Sequence, residues 1–351
     1  MPVILGPVDA VGVLGAGTAF PERELGNAEA LRAVAPYAWP GRTIDDAELA
    51  FMAGGVRETM GVDRRAWAHD VGHPLDHARE ATTLDLATAA AERALDDAKL
   101  TAADVALVLV ATSTPHKMTS TVSAQVGARL GARAACMDVR TGCAGALFAL
   151  STAALHVAAG AGVALVIGAE TFSKIIPPSS KMAAVALGDG AGALVVGPSP
   201  AARVDAIFLE TDGALGRLIT TDGSLPPTVD EIARGGYHLS GSPDDLTATV
   251  PAKYAAGIEA ALARSNLAAS QIDLFVPHQT NVPMMRIVAA NAGIPPQRTF
   301  VNVPRHANIG AAGWVVAFAE ARREVRMKRG ARVLVAAVGG GMSWGAAVLS
   351  C

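Results

Sequence analysis

Of the three cysteines in the chain, Cys143 alone has the surroundings of a nucleophile. An apolar stretch holding Met137 and Val139 runs into Thr141-Gly142-Cys143-Ala144-Gly145, and a long apolar segment follows. This pattern predicts strand, small-residue turn, helix, with the thiol at the helix N-terminus. There the helix dipole and free N–H groups favour a thiolate. Gly142, Ala144 and Gly145 leave room for a substrate carbonyl, and the Cys143 N–H can meet a developing oxyanion. Taken alone, the segment is equally compatible with an inert buried cysteine. Cys136 and Cys351 lack any such setting.

Two further residues have the chemistry to work beside a thiol. His278 closes the apolar stretch of FVPHQTN, and Asn308 sits in the turn RHANIGAAG. A lone histidine is commonly structural, but these positions fall within a repeat. Residues 90–114 and 257–281 both read as amphipathic helix, polar turn and apolar strand. Leu95, Leu100, Val105 and Leu107 align with Leu262, Leu267, Ile272 and Leu274. Residues 137–150 echo 300–318, which sets Asn308 opposite Cys143, and 162–170 echo 331–340. Repetition with alternating helices and strands predicts two α/β units on a shared core, residues 1–198 and 199–351. Cys143, His278 and Asn308, all at strand ends, would then converge on one pocket between the units.

Other patterns carry less. Gly12 opens GVLGAGTAFPE, but Phe20 replaces the third glycine of a dinucleotide fingerprint and Pro21 interrupts the helix it needs. His69, His73 and His77 recur every four residues, yet Gly72 and Pro74 break the helix that would align them as metal ligands. Residues 144–169 lack any charge, a length that could span a bilayer. Their alanine content, with Gly160 and Gly162, instead predicts a buried helix, a turn and a core strand at 163–167.

Bulk composition narrows the class. With 29 Lys and Arg against 32 Asp and Glu, the chain carries no electrostatic footprint for nucleic acid or an anionic membrane. Three cysteines do not make a disulfide framework. The N-terminal segment lacks the basic start of a secretory signal, so a cytoplasmic protein is expected.

TGCAG, VPHQTN and ANIGAAG, with GDGAGALVVG (188–197) and GGGMSWGAAVL (339–349), together resemble β-ketoacyl-acyl-carrier-protein synthase III over nearly the whole chain. The resemblance implies a thiolase fold, five layers αβαβα from two duplicated halves, and a homodimer. It implies a Cys143–His278–Asn308 site, with Gly340 supplying a second oxyanion N–H beside that of Cys143. It also implies acyl-CoA or acyl carrier protein as substrate, a malonyl thioester as extender, and neither metal nor cofactor. A thiolate would take the acyl group, splitting one transfer into two steps. Decarboxylation would then give an enolate held by His278 and Asn308. The chain departs from the family where CoA is gripped. Gly55 stands near the place of a tryptophan, Thr59 and Pro283 stand for basic residues, and Lys181, Trp39 and Trp67 are candidate replacements. Met118, in TSTPHKMTS, takes the place of an aromatic that each subunit lends to its partner's acyl pocket. These changes point to a non-housekeeping acyl donor. Transfer of the Cys143-bound acyl group to a hydroxyl or amine without decarboxylation is the main alternative. A non-catalytic supporting subunit is a weaker one.

Overall fold

A computed structural model of the chain describes residues 2–76, 78–324, 327–328 and 330–351. Its main sheet runs Ala135–Val139, Val105–Ala111, Val163–Thr171, Asp189–Thr211, Ser343–Ser350, Arg332–Gly339, Leu274–Pro277. The first three strands are parallel, as are the last two. Both parallel sets are reached through antiparallel pairing with Asp189–Thr211 and its neighbour Ser343–Ser350.

The long strand Asp189–Thr211 belongs to both groups. Residues 189–196 pair with Val163–Thr171 and residues 203–211 with Ser343–Ser350. Strand Val8–Ala19 pairs with both parts, through register shifts between Asp9 and Val11 and between Val13 and Gly15. The boundary expected at 198/199 therefore falls inside a strand.

Five layers result. Helices Thr83–Ala98 and Val122–Leu130 pack on one outer face, and Pro243–Ser265 and Val282–Asn291 on the other. Between the two groups of strands lie Gly145–Ala158 and Gly313–Arg323. Position dictates composition here. The middle helices meet strands on both sides, so Ala146, Leu147, Ala149, Leu150, Val315, Val316 and Phe318 are all buried. The outer helix Thr83–Ala98 buries one stripe and is started by Thr82, whose hydroxyl accepts from Asp85 N.

The uncharged run predicted as helix, turn and core strand is Gly145–Ala158 followed by Val163–Thr171. Among the described residues no helix is long and apolar enough to cross a membrane. Of the histidine series, His69 Nδ1 lies 3.0 Å from the Glu80 carboxylate, and His77 lies outside the described residues.

Candidate active site

Cys143 sits in the single turn Gly142–Ala144, which feeds straight into helix Gly145–Ala158. Gly142 has φ 57°, a left-handed conformation that suits glycine. Its other constraint is contact, because a Cβ there would lie 2.4 Å from Gly340 N. Reciprocally, a Cβ on Gly339 would lie 2.3 Å from Cys143 N. Main chain thus packs on main chain, and only glycines permit it. Cys143, Gly142 and Gly340 share the wall of a cavity of about 230 Å³, with Ser113, Phe172 and Leu239 among its other residues.

The electrostatics of the thiol differ from the sequence expectation of a helix-stabilised thiolate. Cys143 keeps some exposure through the cavity, but burial of its sulfur and the nearby charge of Glu170 push its pKa up to about 12. Its own main-chain N–H works the other way and is outweighed. A dipole effect is limited to the first turn, while desolvation of a thiolate costs more.

His278 follows strand Leu274–Pro277 and is 1% exposed. Neither ring nitrogen has a hydrogen-bond partner among the described residues. Burial lowers its pKa to about 4, so the ring is neutral at physiological pH. Gly313 makes room for it, since a Cβ there would lie 2.6 Å from Nδ1. Asn308 is half-buried. Its Oδ1 accepts from Gly310 N at 2.9 Å, and its Nδ2 group has no partner among the described residues. Its main chain is tied on both sides, to Ala186 O and from Gly188 N.

These parts meet through two matching turns. Gly310–Ala312 begins on a left-handed glycine, as Gly142–Ala144 does, and each leads into a middle-layer helix. The turns pack against one another, and Gly313, just after the second, backs His278. The match corrects the repeat register read from sequence. The counterpart of Cys143 is Ala311, and Asn308 precedes that turn. His278 and Asn308 do not line the cavity that holds Cys143 and Gly340.

Sequence reasoning missed Glu170, the last residue but one of strand Val163–Thr171. It is fully buried, and burial raises its pKa to about 7. It accepts from Ser113 N at 3.0 Å, from Thr114 Oγ1 at 2.6 Å and from Ala311 N at 3.4 Å. The signal was present: an acid closing an otherwise apolar core strand is costly unless used. Of the expected CoA-contacting residues, Trp67 is buried and donates to Leu187 O, so it is not available to stack. Trp39 is half-buried, with Lys181 Nζ 5.0 Å from its ring centroid. Gly54 and Gly55 face open space, and the Thr59 hydroxyl donates to Gly55 O one turn earlier in the same helix. Met118 is 72% exposed.

A doubly grouped sheet enclosing two central helices, with a cysteine turn at the N-terminus of one, defines a thiolase-fold acyltransferase. The model of the 3-oxoacyl-[acyl-carrier-protein] synthase III C-terminal region matches residues 262–351, and that of 3-oxoacyl-[acyl-carrier-protein] synthase III matches 137–213. The chain is 33% identical over 321 residues to the β-ketoacyl-[acyl-carrier-protein] synthase III of Anaplasma marginale, covering 88% of this chain and 95% of that one. It is 36% identical over 322 residues to the Dinoroseobacter shibae enzyme of the same name, with the same coverage. The crystal structure of 3-oxoacyl-[acyl-carrier-protein] synthase III from Aquifex aeolicus superposes with a TM-score of 0.83 at 27% identity, over 97% of this chain and all of that one. The chain belongs to the β-ketoacyl-acyl-carrier-protein synthase III family of condensing enzymes.

Proposed function

We propose that Cys143 carries the acyl group as a thioester and that His278 and Asn308 serve the decarboxylative condensation with a malonyl thioester that follows. The observation that carries this reading is the packing of the Cys143 turn on the Gly310–Ala312 turn, which brings the cavity-lining thiol to the segment that follows Asn308 and backs His278. His278 is neutral and buried, neither ring nitrogen has a hydrogen-bond partner among the described residues, and Asn308 offers Nδ2. A buried neutral imidazole donates through one N–H and cannot bring a charge with it. That suits an enolate oxygen, where donors placed in advance cost no reorganisation. The Cys143 and Gly340 N–H groups serve the other oxyanion, at the acyl carbon. The enolate carbon attacks that carbonyl, the C–S bond to Cys143 breaks, and CO₂ has already left the malonyl unit. Residues 1–198 thus supply the nucleophile and 199–351 the two donors.

The acyl donor is inferred to be a non-housekeeping one, presented on acyl carrier protein rather than by CoA. In support, Trp67 is committed to Leu187, Gly54 and Gly55 offer no ring, and Pro283 stands in the first turn of Val282–Asn291 in place of a cation. Trp39, half-buried beside Lys181, is the remaining candidate, and loss of a base-stacking aromatic removes about 1–3 kcal/mol of nucleotide binding. We also infer a homodimer. Strand Ala135–Val139 ends the sheet with Met137 41% exposed, and unpaired strand edges are ordinarily covered. Met118 is exposed on the loop that would reach a partner's acyl pocket.

The test is intact-mass spectrometry after incubation with a panel of acyl-CoAs and acyl carrier proteins. Acyl-enzyme forms on the wild type, faster from carrier protein, and not on Cys143→Ala. Label that persists in that variant and maps to Cys136 or Cys351 refutes the nucleophile. Release of acyl product to an alcohol or amine, with no CO₂ from any malonyl donor, replaces condensation with simple acyl transfer.

A further inference from the structure

Glu170 has no part in the chemistry above, yet it is a buried carboxyl at the junction of the site. Its oxygens accept hydrogen bonds from two segments. One is Thr112–Thr114, whose Ser113 lines the cavity beside Cys143, held through Ser113 N at 3.0 and 3.1 Å and Thr114 Oγ1 at 2.6 Å. The other is the Gly310–Ala312 turn, held through Ala311 N at 3.4 Å. The fit is close, since a Cβ on Gly310 would lie 2.9 Å from Glu170 Cγ. That turn packs on the Cys143 turn and leads to Gly313, on which His278 rests.

We propose that Glu170 is a positioning residue that sets, by its charge, the pH at which Cys143 is loaded, while its oxygens hold the acyl cavity and the His278–Asn308 side in register. The inference rests on Cys143 as nucleophile. The charged and titratable groups around the thiol are few: Glu170 from strand Val163–Thr171, Tyr254 from helix Pro243–Ser265, and Arg140 on the cavity wall. His278 is neutral and Tyr254, with its pKa raised by burial, stays a phenol. Glu170 is therefore the only anion opposing a Cys143 thiolate among these groups. Burial raises the pKa of Glu170 to about 7, so it carries its charge above neutrality. Like charge disfavours ionisation, so removing it must move the thiol downward.

The experiment is alkylation of Cys143 by iodoacetamide as a function of pH, read by peptide mass spectrometry, for wild type, Glu170→Gln and Glu170→Asp. In this reaction the S–C bond forms, iodide leaves and the thiol proton goes to buffer. Glu170→Gln should shift the midpoint down by on the order of one pH unit. Glu170→Asp retains the charge, so its midpoint should stay near that of wild type. Its condensation rate should fall, because the shorter side chain cannot reach both Ser113 N and Ala311 N. A merely structural residue would slow both variants and move neither midpoint, and that result overturns the proposal. Should Glu170→Gln not fold, infrared titration of the wild-type protein carrying carboxyl-¹³C glutamate decides, because the label separates Glu170 from Asp189, a second buried carboxyl whose pKa is raised to about 6. A protonated buried carboxyl that ionises near neutrality supports the inference, and its absence above pH 5 overturns it. Label that never maps to Cys143 overturns the nucleophile instead, so the two failures are distinguishable.

Discussion

Asn308→Ala separates the two half-reactions and gives the sharpest test of the proposed division of labour. Among the described residues Asn308 makes one side-chain hydrogen bond, from Gly310 N to Oδ1 at 2.9 Å, and its Nδ2 group has no partner. Truncation to alanine therefore removes two things of different kinds. Loss of the Oδ1 acceptor leaves the N–H of buried Gly310 unpaired, which costs about 1–3 kcal/mol of stability. Loss of the Nδ2 donor leaves the fold untouched but takes one preplaced dipole from the enolate oxygen, a loss of about 10²–10³ in rate, or roughly 2.7–4 kcal/mol. Acyl loading uses the Cys143 and Gly340 N–H groups at the other carbonyl, so it should change by less than about threefold. Asn308→Asp is the control, because it keeps an acceptor for Gly310 N while removing the donor. It should restore the melting temperature but not the condensation. The assay pairs release of labelled CO₂ from a malonyl thioester with intact-mass detection of the acyl-enzyme. The reasoning fails if Asn308→Ala releases CO₂ at nearly the wild-type rate, or if loading and decarboxylation fall together by the same factor.

Four further outcomes follow from the structure. With burial holding the His278 pKa at about 4, decarboxylation should stay flat as pH falls through about 6.5, where a solvent-exposed imidazole gains its proton; a rate loss centred there would show that the ring titrates normally. The same depressed pKa means that the unfolded chain binds the extra proton first, so stability from this residue is complete above about pH 6.5 and is lost as pH falls toward 4, readable by thermal melts of wild type against His278→Gln. Gly339→Ala puts a Cβ 2.3 Å from Cys143 N, so loading should fall by about 10² or more with a destabilisation of about 1–3 kcal/mol, and unchanged acyl-enzyme formation would contradict the close packing of the two turns. Light scattering at micromolar concentration should give twice the 35.6 kDa of one chain, and the mass of a single chain would remove Met118 from the partner's pocket.

Much of the architecture was legible in the order of residues. Buried strands and middle-layer helices are apolar all round, and outer helices are apolar on one stripe, so burial writes itself into composition. The repeat was legible for the same reason, because two units that bury the same faces need similar patterns. Cys143 and His278 stood out because each follows an apolar strand; Asn308 stood out in its glycine-rich turn, where the strand expected before it is instead the short helix Val303–His306. The glycines of the two turns could be seen, but not that Gly142 and Gly339 exist for contact with each other across nearly two hundred residues. That contact, and the register that pairs Cys143 with Ala311, is a property of packed main chains. Charge state was the least accessible. The thiol at a helix start reads from sequence as an incipient thiolate, yet burial and Glu170 together push it up to about 12. Desolvation depends on what surrounds a group in three dimensions, and the groups surrounding Cys143 come from elements scattered along the whole chain. Sequence determined which residues have the chemistry and which elements carry them. Only the tertiary structure decided how far each is from water, and hence which of them hold a proton.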